Sequence, residues 1–332
     1  MKTGIVMTRS LLPVDQQYIT NGLKGLVGDC FELIAPPSYD EEGILSVCSD
    51  ADVLLGPFVT RRILEKAKAL KLIQVPWTGM ESFDFDAVKG FDVTVCNSHS
   101  NADAVAELGL AIIMDLIKKL SYHDRKLRRG NWNRDQVPLD LKSAMLRGSR
   151  VCIIGYGHIG SALGRLVKAF GAEVSAVNMT EVADEGVEFY PYDDAGGAVN
   201  NADIVVIAVP LTEDTKNMVD SGFIAKMKDK SFLVLLSRAG VVDEGAVYNA
   251  LLSGKLAGYG SDVWWNAPKR GETSSKVSVN YSFEELENVV LSPHRAGFCE
   301  DSLPHLDDVI INLSRLIKGE KLINIVNIEE GF

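Results

Sequence analysis

Val151-Cys-Ile-Ile-Gly-Tyr-Gly-His-Ile-Gly160 is the stretch that decides the fold. Four apolar residues, the pattern of a buried strand, run directly into Gly155-x-Gly157-x-x-Gly160. In a turn of this kind the first glycine permits the tight reversal and the second lets a pyrophosphate approach the backbone. The third lets the following helix pack closely on the sheet. The helix N-terminus then offers free N–H groups to an anion. Ser161 to Phe170 continues with apolar residues at 163, 166, 167 and 170, which is helical spacing, and Gly171-Ala-Glu173 leads into the apolar run Val174 to Val177. The unit reads strand, turn, helix, strand and predicts nucleotide binding; a merely structural tight turn is the alternative.

Outward from this unit the chain alternates strand and helix signals. Upstream, Thr3 to Met7, Cys30 to Ile34, Val53 to Leu55, Lys71 to Val75 and Val93 to Cys96 read as strands separated by polar or amphipathic segments. Asp103 is placed to cap a long helix through Ala104 to Leu120, and the polar stretch Gly130 to Arg150 precedes the glycine turn. Downstream, Ile204 to Ala208, Phe232 to Leu236, Gly258 to Asp262 and Val289 to Leu291 supply further strands, and Ser302 to Ile317 a last helix. The predicted class is α/β, with two Rossmann-like domains of doubly wound parallel sheet and no repeat at solenoid period.

Composition excludes several other classes. A chain of 332 residues with 24% charged and 46% hydrophobic residues can bury a large core in roughly two domains. No stretch approaches the roughly 20 apolar residues of a membrane span, and Met1 to Ser10 lacks a long apolar segment, so a cytoplasmic protein without a membrane partner is expected. Cys30, Cys48, Cys96, Cys152 and Cys299 show no CxxC spacing, which favours buried free thiols over disulfides or a metal cage. The net charge of −11 argues against nucleic acid, and the basic run Arg125 to Arg134 reads as a solvated helix end or a subunit contact.

Taken with the glycine turn, five further segments make the chain resemble the D-2-hydroxyacid dehydrogenases, the family that includes D-lactate, phosphoglycerate and formate dehydrogenases. They are Asn101 to Glu107, Pro210-Leu-Thr212, Ser237-Arg-Ala-Gly-Val-Val-Asp-Glu244, Gly258 to Trp264 and Ser292-Pro-His294; the loop Val75-Pro-Trp-Thr-Gly-Met-Glu81 resembles the family's glycine-containing loop, with Gly79 alone clearly keeping its pattern. The resemblance implies a discontinuous, flavodoxin-like substrate domain, residues 1–101 and 297–332, around an inserted NAD(P)-binding domain, 102–296. It also implies a cleft between them, a homodimer and no metal.

The resemblance assigns catalysis to two residues. Arg238 occupies the substrate-arginine position, where a planar guanidinium can pair with a carboxylate and place its charge beside a carbonyl oxygen that becomes negative during hydride addition. His294 occupies the acid/base position, and imidazole can exchange a proton with an alkoxide near neutral pH. The cofactor, NAD or NADP, falls to Gly155, Tyr156, Gly157, His158, Ile159, Gly160, Asn178, Val209, Pro210, Thr215, Leu236, Ser237 and Asp262. Asp262 stands where the family accepts hydrogen bonds from the nicotinamide carboxamide or orients the ring; a strand-end turn residue is the alternative. The 2-oxoacid or 2-hydroxyacid falls to Trp77, Thr78, Gly79, Asn101 and Arg238, with backbone N–H groups of the Gly79 loop on the substrate carboxylate. Phe58, Met80, Trp264 and Trp265 read as packing residues more readily than as pocket walls.

Two positions depart from the family. The glutamate expected five residues beyond Asp262, whose charge favours the protonated imidazole, is Ala267. Trp264 to Pro268 resembles the formate dehydrogenase branch, which has glutamine there; alanine can do neither job, and Asn266 or Glu272 is a substitute only if the loop shifts. Ketoacid reduction is therefore expected to lose rate at a lower pH than in relatives. The rival class is a cofactor-binding regulator or scaffold with weak catalysis. At the end of the second strand, Asn178 replaces the acidic residue that repels a 2′-phosphate, which leaves NAD and NADP balanced.

Overall fold

The computed structural model describes residues 2–132, 143–181, 183–268, 272–299 and 302–329. The chain divides into two compact units, Met1–Asn101 with Gly297–Phe332, and Ala102–Ala296. In the first, the order is β1 (Thr3–Met7), α1 (Pro13–Val27), β2 (Phe31–Ile34), α2 (Glu41–Leu45), β3 (Val53–Leu55), α3 (Arg61–Lys66), β4 (Leu72–Gln74), α4 (Phe85–Val88) and β5 (Thr94–Cys96). The strands pair in parallel in the order β2-β1-β3-β4-β5, with Ile5 opposite Val53, Val53 opposite Leu72 and Leu72 opposite Thr94.

Alternation along each strand feeds two apolar layers. Val6, Leu54, Ile73 and Val95 face one, and Ile5, Val53, Leu55 and Leu72 the other, where Ile19 and Leu23 of α1 meet Val309, Ile310 and Leu313 of the helix Asp307–Lys318. Both faces are covered, so these strands read as continuous apolar runs. Helix starts are set locally: Asp40, Thr60 and Asp84 accept from the N–H groups of Gly43, Ile63 and Ala87.

The second unit contains α5 (Ala102–Lys118), α6 (Leu120–Arg128), β6 (Arg150–Ile154), α7 (His158–Ala169), β7 (Glu173–Asn178), β8 (Val187–Pro191), α8 (Ala195–Asn200), β9 (Ile204–Ile207), α9 (Ser221–Lys226), β10 (Ser231–Leu235), α10 (Glu244–Ser253), β11 (Leu256–Ser261) and β12 (Val289–Leu291). Its parallel sheet runs β12-β11-β10-β9-β6-β7-β8. Strand order reverses between β6 and β9, the place where open α/β sheets leave a crevice at the strand C-termini. Ile112, Ile113 and Leu116 of α5 and Leu163 and Val167 of α7 close one face over Val151, Ile153, Val206 and Val234. Full burial of each such side chain contributes about 1.5–3 kcal/mol.

Several expectations need correction. The linking helix begins at Ala102, so Asp103 lies within its first turn and pairs with Arg165 at 3.2 Å instead of capping. It stops at Lys118, because Lys119 turns left-handed (φ 56°) and starts α6. The last helix begins at Asp307, after a 3-10 turn at Pro304–Leu306. β8 carries no clear strand signal: it is an edge strand, half exposed and ending on Pro191, which an edge tolerates. Cys48, Cys96 and Cys152 are buried and free, but Cys30 and Cys299 are exposed. The basic run forms the last turn of α6, Arg125 to Arg128, and continues past it to Trp132; its end, Asn133 and Arg134, lies outside the described residues, as does part of the stretch 130–150.

Candidate functional site

The three glycines of the turn have three different surroundings. Gly155 follows β6 with φ +91°, and a Cβ there would lie 2.7 Å from the carbonyl carbon of Ala208 and the nitrogen of Val209, just past β9. Only glycine lets the two strand ends at the crossover point meet this closely. A Cβ on Gly160 would lie 2.1 Å from the Gly155 carbonyl oxygen, so this glycine seats the helix on the turn. Gly157 differs: it is the N-cap of α7, has no side-chain cap, and a Cβ on it would meet nothing within 4 Å. An uncapped helix N-terminus with open space before it suits a phosphate group.

The residues flanking this turn divide by side chain. Tyr156 is buried, and its hydroxyl donates to Asp184 Oδ2 at 2.8 Å; burial foremost, then the Asp184 carboxylate, pushes the phenol well above its ordinary range. Only its backbone is left for a ligand. Ile159 packs on the core layer under α5, while His158 is exposed at the first position of α7. Asn178 ends β7 with Nδ2 turned to the Thr180 carbonyl at 3.3 Å. Past β9, the Thr215 hydroxyl donates to the Pro210 carbonyl at 2.6 Å and accepts from Thr212 N at 2.8 Å, so it shapes the Val209 to Thr212 loop. Leu236 is core, but Ser237 Oγ is buried with no hydrogen-bond partner among the described residues. A buried unsatisfied hydroxyl at this strand end fits a polar ligand.

Asp262 organises the turn after β12. The residue is 2% exposed, and its carboxylate accepts from Arg295 N at 2.8 Å, Ala296 N at 2.8 Å and the Ser292 hydroxyl. Trp264 Nε1 donates to the Ser292 carbonyl at 2.9 Å, and Ser292 N to the Ser261 carbonyl at 3.0 Å. The turn therefore hangs from the end of β11 by five bonds. At its centre His294 is exposed and left-handed, φ +56°, a conformation disfavoured for any residue with a Cβ. Such an outlier persists where its surroundings over-determine it, and the Asp262 bonds do so here. Arg238 stands half-buried just past β10, its Nη1 3.0 Å from the Ser237 carbonyl.

The residues beside Ala267 are tied to the surrounding chain. Asn266 Nδ2 donates to Ser275 Oγ and the Lys276 carbonyl, both at 2.9 Å, and Trp265 Nε1 to the Val242 carbonyl at 3.0 Å, with its ring stacked 5.3 Å from Phe283. Ala267 is exposed, and no carboxylate pairs with His294 among the described residues. Ser292 and Asp184 are the organising residues that sequence reasoning passed over. Ser292 sits in the quoted Ser-Pro-His motif, whereas Asp184 carries no local signal.

In the first unit, the Trp77 to Gly79 loop is stapled to the end of β5. The Thr78 hydroxyl donates to the Ser98 carbonyl at 2.8 Å, the Thr78 carbonyl accepts from Asn97 Nδ2 at 2.9 Å, and the Trp77 carbonyl accepts from Ser98 N at 3.2 Å. The N–H groups of Thr78 and Gly79 donate to no acceptor among the described residues. Carbonyls tied back and successive amides unspent make a cradle for an anion. Met80 is core and Phe58 is 39% exposed. The Asn101 amide lies against Gly297, where a Cβ would be 3.0 Å from its Nδ2.

The doubly wound sheet, the glycine turn at its crossover and the uncapped α7 N-terminus define an α/β protein of the dinucleotide-binding class. Residues 110–296 match the profile described as D-isomer specific 2-hydroxyacid dehydrogenase, NAD binding domain. The chain belongs to that family. It is 30% identical to a glyoxylate reductase of Thermococcus litoralis, over 81% of this chain and 80% of the relative. It is 29% identical to a D-3-phosphoglycerate dehydrogenase of Methanocaldococcus jannaschii over 86% of its own length, and the match spans 54% of that longer relative. Among solved structures, the D-isomer specific 2-hydroxyacid dehydrogenase of Lactobacillus delbrueckii ssp. bulgaricus, in NAD complexed form, superposes with a TM-score of 0.81 at 25% identity, covering 98% of this chain and 100% of that one. No helix among the described residues is long and apolar enough to cross a membrane.

Proposed function

We propose that this protein is an NAD(P)-dependent oxidoreductase that interconverts a 2-oxoacid and a D-2-hydroxyacid. The observation that carries the reading is the left-handed His294 held in place by Asp262: strain kept at an exposed imidazole has a use in proton transfer and little in scaffolding. The bound nicotinamide supplies or accepts the hydride at substrate C2. Gly157 and the α7 N-terminus hold the pyrophosphate, and the Ser237 hydroxyl is a further polar contact for the cofactor. Thr78 and Gly79 bind the substrate carboxylate through their N–H groups. Arg238 polarises the carbonyl and stabilises the developing alkoxide charge. His294 gives that oxygen its proton on reduction and removes it on oxidation.

Asn178 lacks the charge that excludes a 2′-phosphate, so both NAD and NADP are accepted. The chain works as a homodimer in the cytoplasm. Support for the dimer comes from α6, which buries no residue fully and leaves Leu120 and Leu127 exposed, with Trp132 75% exposed beyond it. Sedimentation at several concentrations tests it.

The catalytic test is oxidation of NADH and of NADPH with a panel of 2-oxoacids, giving kcat/KM for each pair. Turnover that drops at least about 100-fold in His294→Gln and in Arg238→Met supports the assignment. Tight cofactor binding with no turnover on any oxoacid supports the regulator instead, and reduction of NAD+ or NADP+ by formate, with no oxoacid turned over, would mark the formate-type chemistry that Ala267 leaves open.

A further inference from the structure

The order β2-β1-β3-β4-β5 places the crossover of the first unit's sheet between β1 and β3, and ligands of open α/β sheets sit beyond the strand C-termini at such a point. Arg9 stands two residues past β1. Its guanidinium lies over the Trp77 ring, 4.6 Å from the centroid, so it reaches past the end of β3 to the loop after β4. Gly56 permits this: a Cβ there would lie 3.2 Å from Arg9 N and 2.6 Å from Thr8 Oγ1. Arg9 is exposed, and among the described residues no carboxylate pairs with it, although Arg61, Arg62, Arg128, Arg150 and Arg165 all have such partners in this acidic chain.

Stacking occupies the face of the guanidinium and leaves its N–H edge to pair with an anion. The unspent amides of Thr78 and Gly79, directly after Trp77, already provide for one carboxylate. We propose that Arg9, set on Trp77, binds a second anionic group on the substrate, so that the preferred 2-oxoacid carries two anionic groups, the second a distal carboxylate or phosphate. The proposal rests on the 2-oxoacid reading above and specifies its substrate class.

The test compares kcat/KM for oxaloacetate, 2-oxoglutarate and 3-phosphohydroxypyruvate, which carry two anionic groups, with that for pyruvate, hydroxypyruvate and glyoxylate, which carry one, in the wild type, Arg9→Met and Arg9→Lys. The ratio of the first class to the second is expected to fall about 10- to 100-fold in Arg9→Met and less in Arg9→Lys. Preference between the carboxylate and phosphate members identifies the distal group. A ratio that does not respond to Arg9, or rates that fall equally for both classes, overturns the proposal while leaving the oxidoreductase reading intact. Should no oxoacid be turned over, that reading fails, and calorimetric titration of the cofactor-free protein decides the subsite alone. Tighter binding of D-malate than of D-lactate, lost in Arg9→Met, supports it, and equal binding overturns it.

Discussion

Replacing Asp262 by asparagine separates two roles for this buried carboxylate, holding the His294 turn or contacting the cofactor. The carboxylate accepts from Ser292 Oγ, Arg295 N and Ala296 N, and a hydrogen bond to a charged acceptor contributes about 1.5–3 kcal/mol. Asparagine keeps one acceptor oxygen and turns its NH2 toward groups that are themselves donors, so at least one bond is lost and one N–H is left facing another. The expected loss of stability is about 2–4 kcal/mol, a fall in Tm of roughly 4–12 °C. With the clamp weakened, the left-handed His294, which itself costs about 1–2 kcal/mol, relaxes toward ordinary backbone geometry. Misplacement of the imidazole then lowers kcat by about 10- to 100-fold, with smaller changes in the KM values. Thermal unfolding, NADH fluorescence titration and steady-state kinetics on the same samples make the check. Wild-type Tm and kcat combined with weakened NADH binding would refute the reasoning and return Asp262 to the cofactor. His294→Gly supplies the complementary reading: it abolishes turnover yet raises stability by about 1 kcal/mol, because glycine takes positive φ without the Cβ clash.

Gly157→Ala and Gly160→Ala should part company. The first has open space and a φ of −79°, so it keeps its Tm and weakens dinucleotide binding; the second drives a Cβ to 2.1 Å from a backbone oxygen and lowers Tm whether or not cofactor is present. Ala267→Glu is expected to move the high-pH limb of ketoacid reduction upward, by placing a carboxylate at the position the family resemblance gives to one, and an unchanged pH–rate profile would count against the relay argument. Burial depresses the His305 imidazole below its ordinary value of 6.5, against smaller opposing effects of Asp15 and Asp307. The unfolded chain therefore binds this proton more readily, and the stability His305 contributes is present above about pH 6.5 and declines as pH falls toward its depressed folded-state value. Chemical denaturation at pH 7 and pH 5 should show a smaller loss in His305→Gln than in the wild type.

The amino-acid sequence by itself determined the α/β class, because strands covered on both faces must be apolar throughout and the glycine turn has few other uses. Local signals named β1, β3 and β12 to the residue, but left β8 unread, since a half-exposed edge strand needs no apolar run. They also misplaced the start of α5, because an acidic residue favours the first helical turn and the capping position alike. Which groups are already spent was decided only by tertiary structure. Tyr156 faces Asp184, Thr215 closes its own loop, Asn266 is tied to Ser275, and Asp262 is committed to the turn that carries His294. A sequence lists donors and acceptors, but their partners lie up to 34 residues away in the Asp262 clamp and are chosen by strand order and packing. The same holds for Arg9, whose meeting with Trp77 exists only because the sheet brings the ends of β1 and β4 together around a glycine.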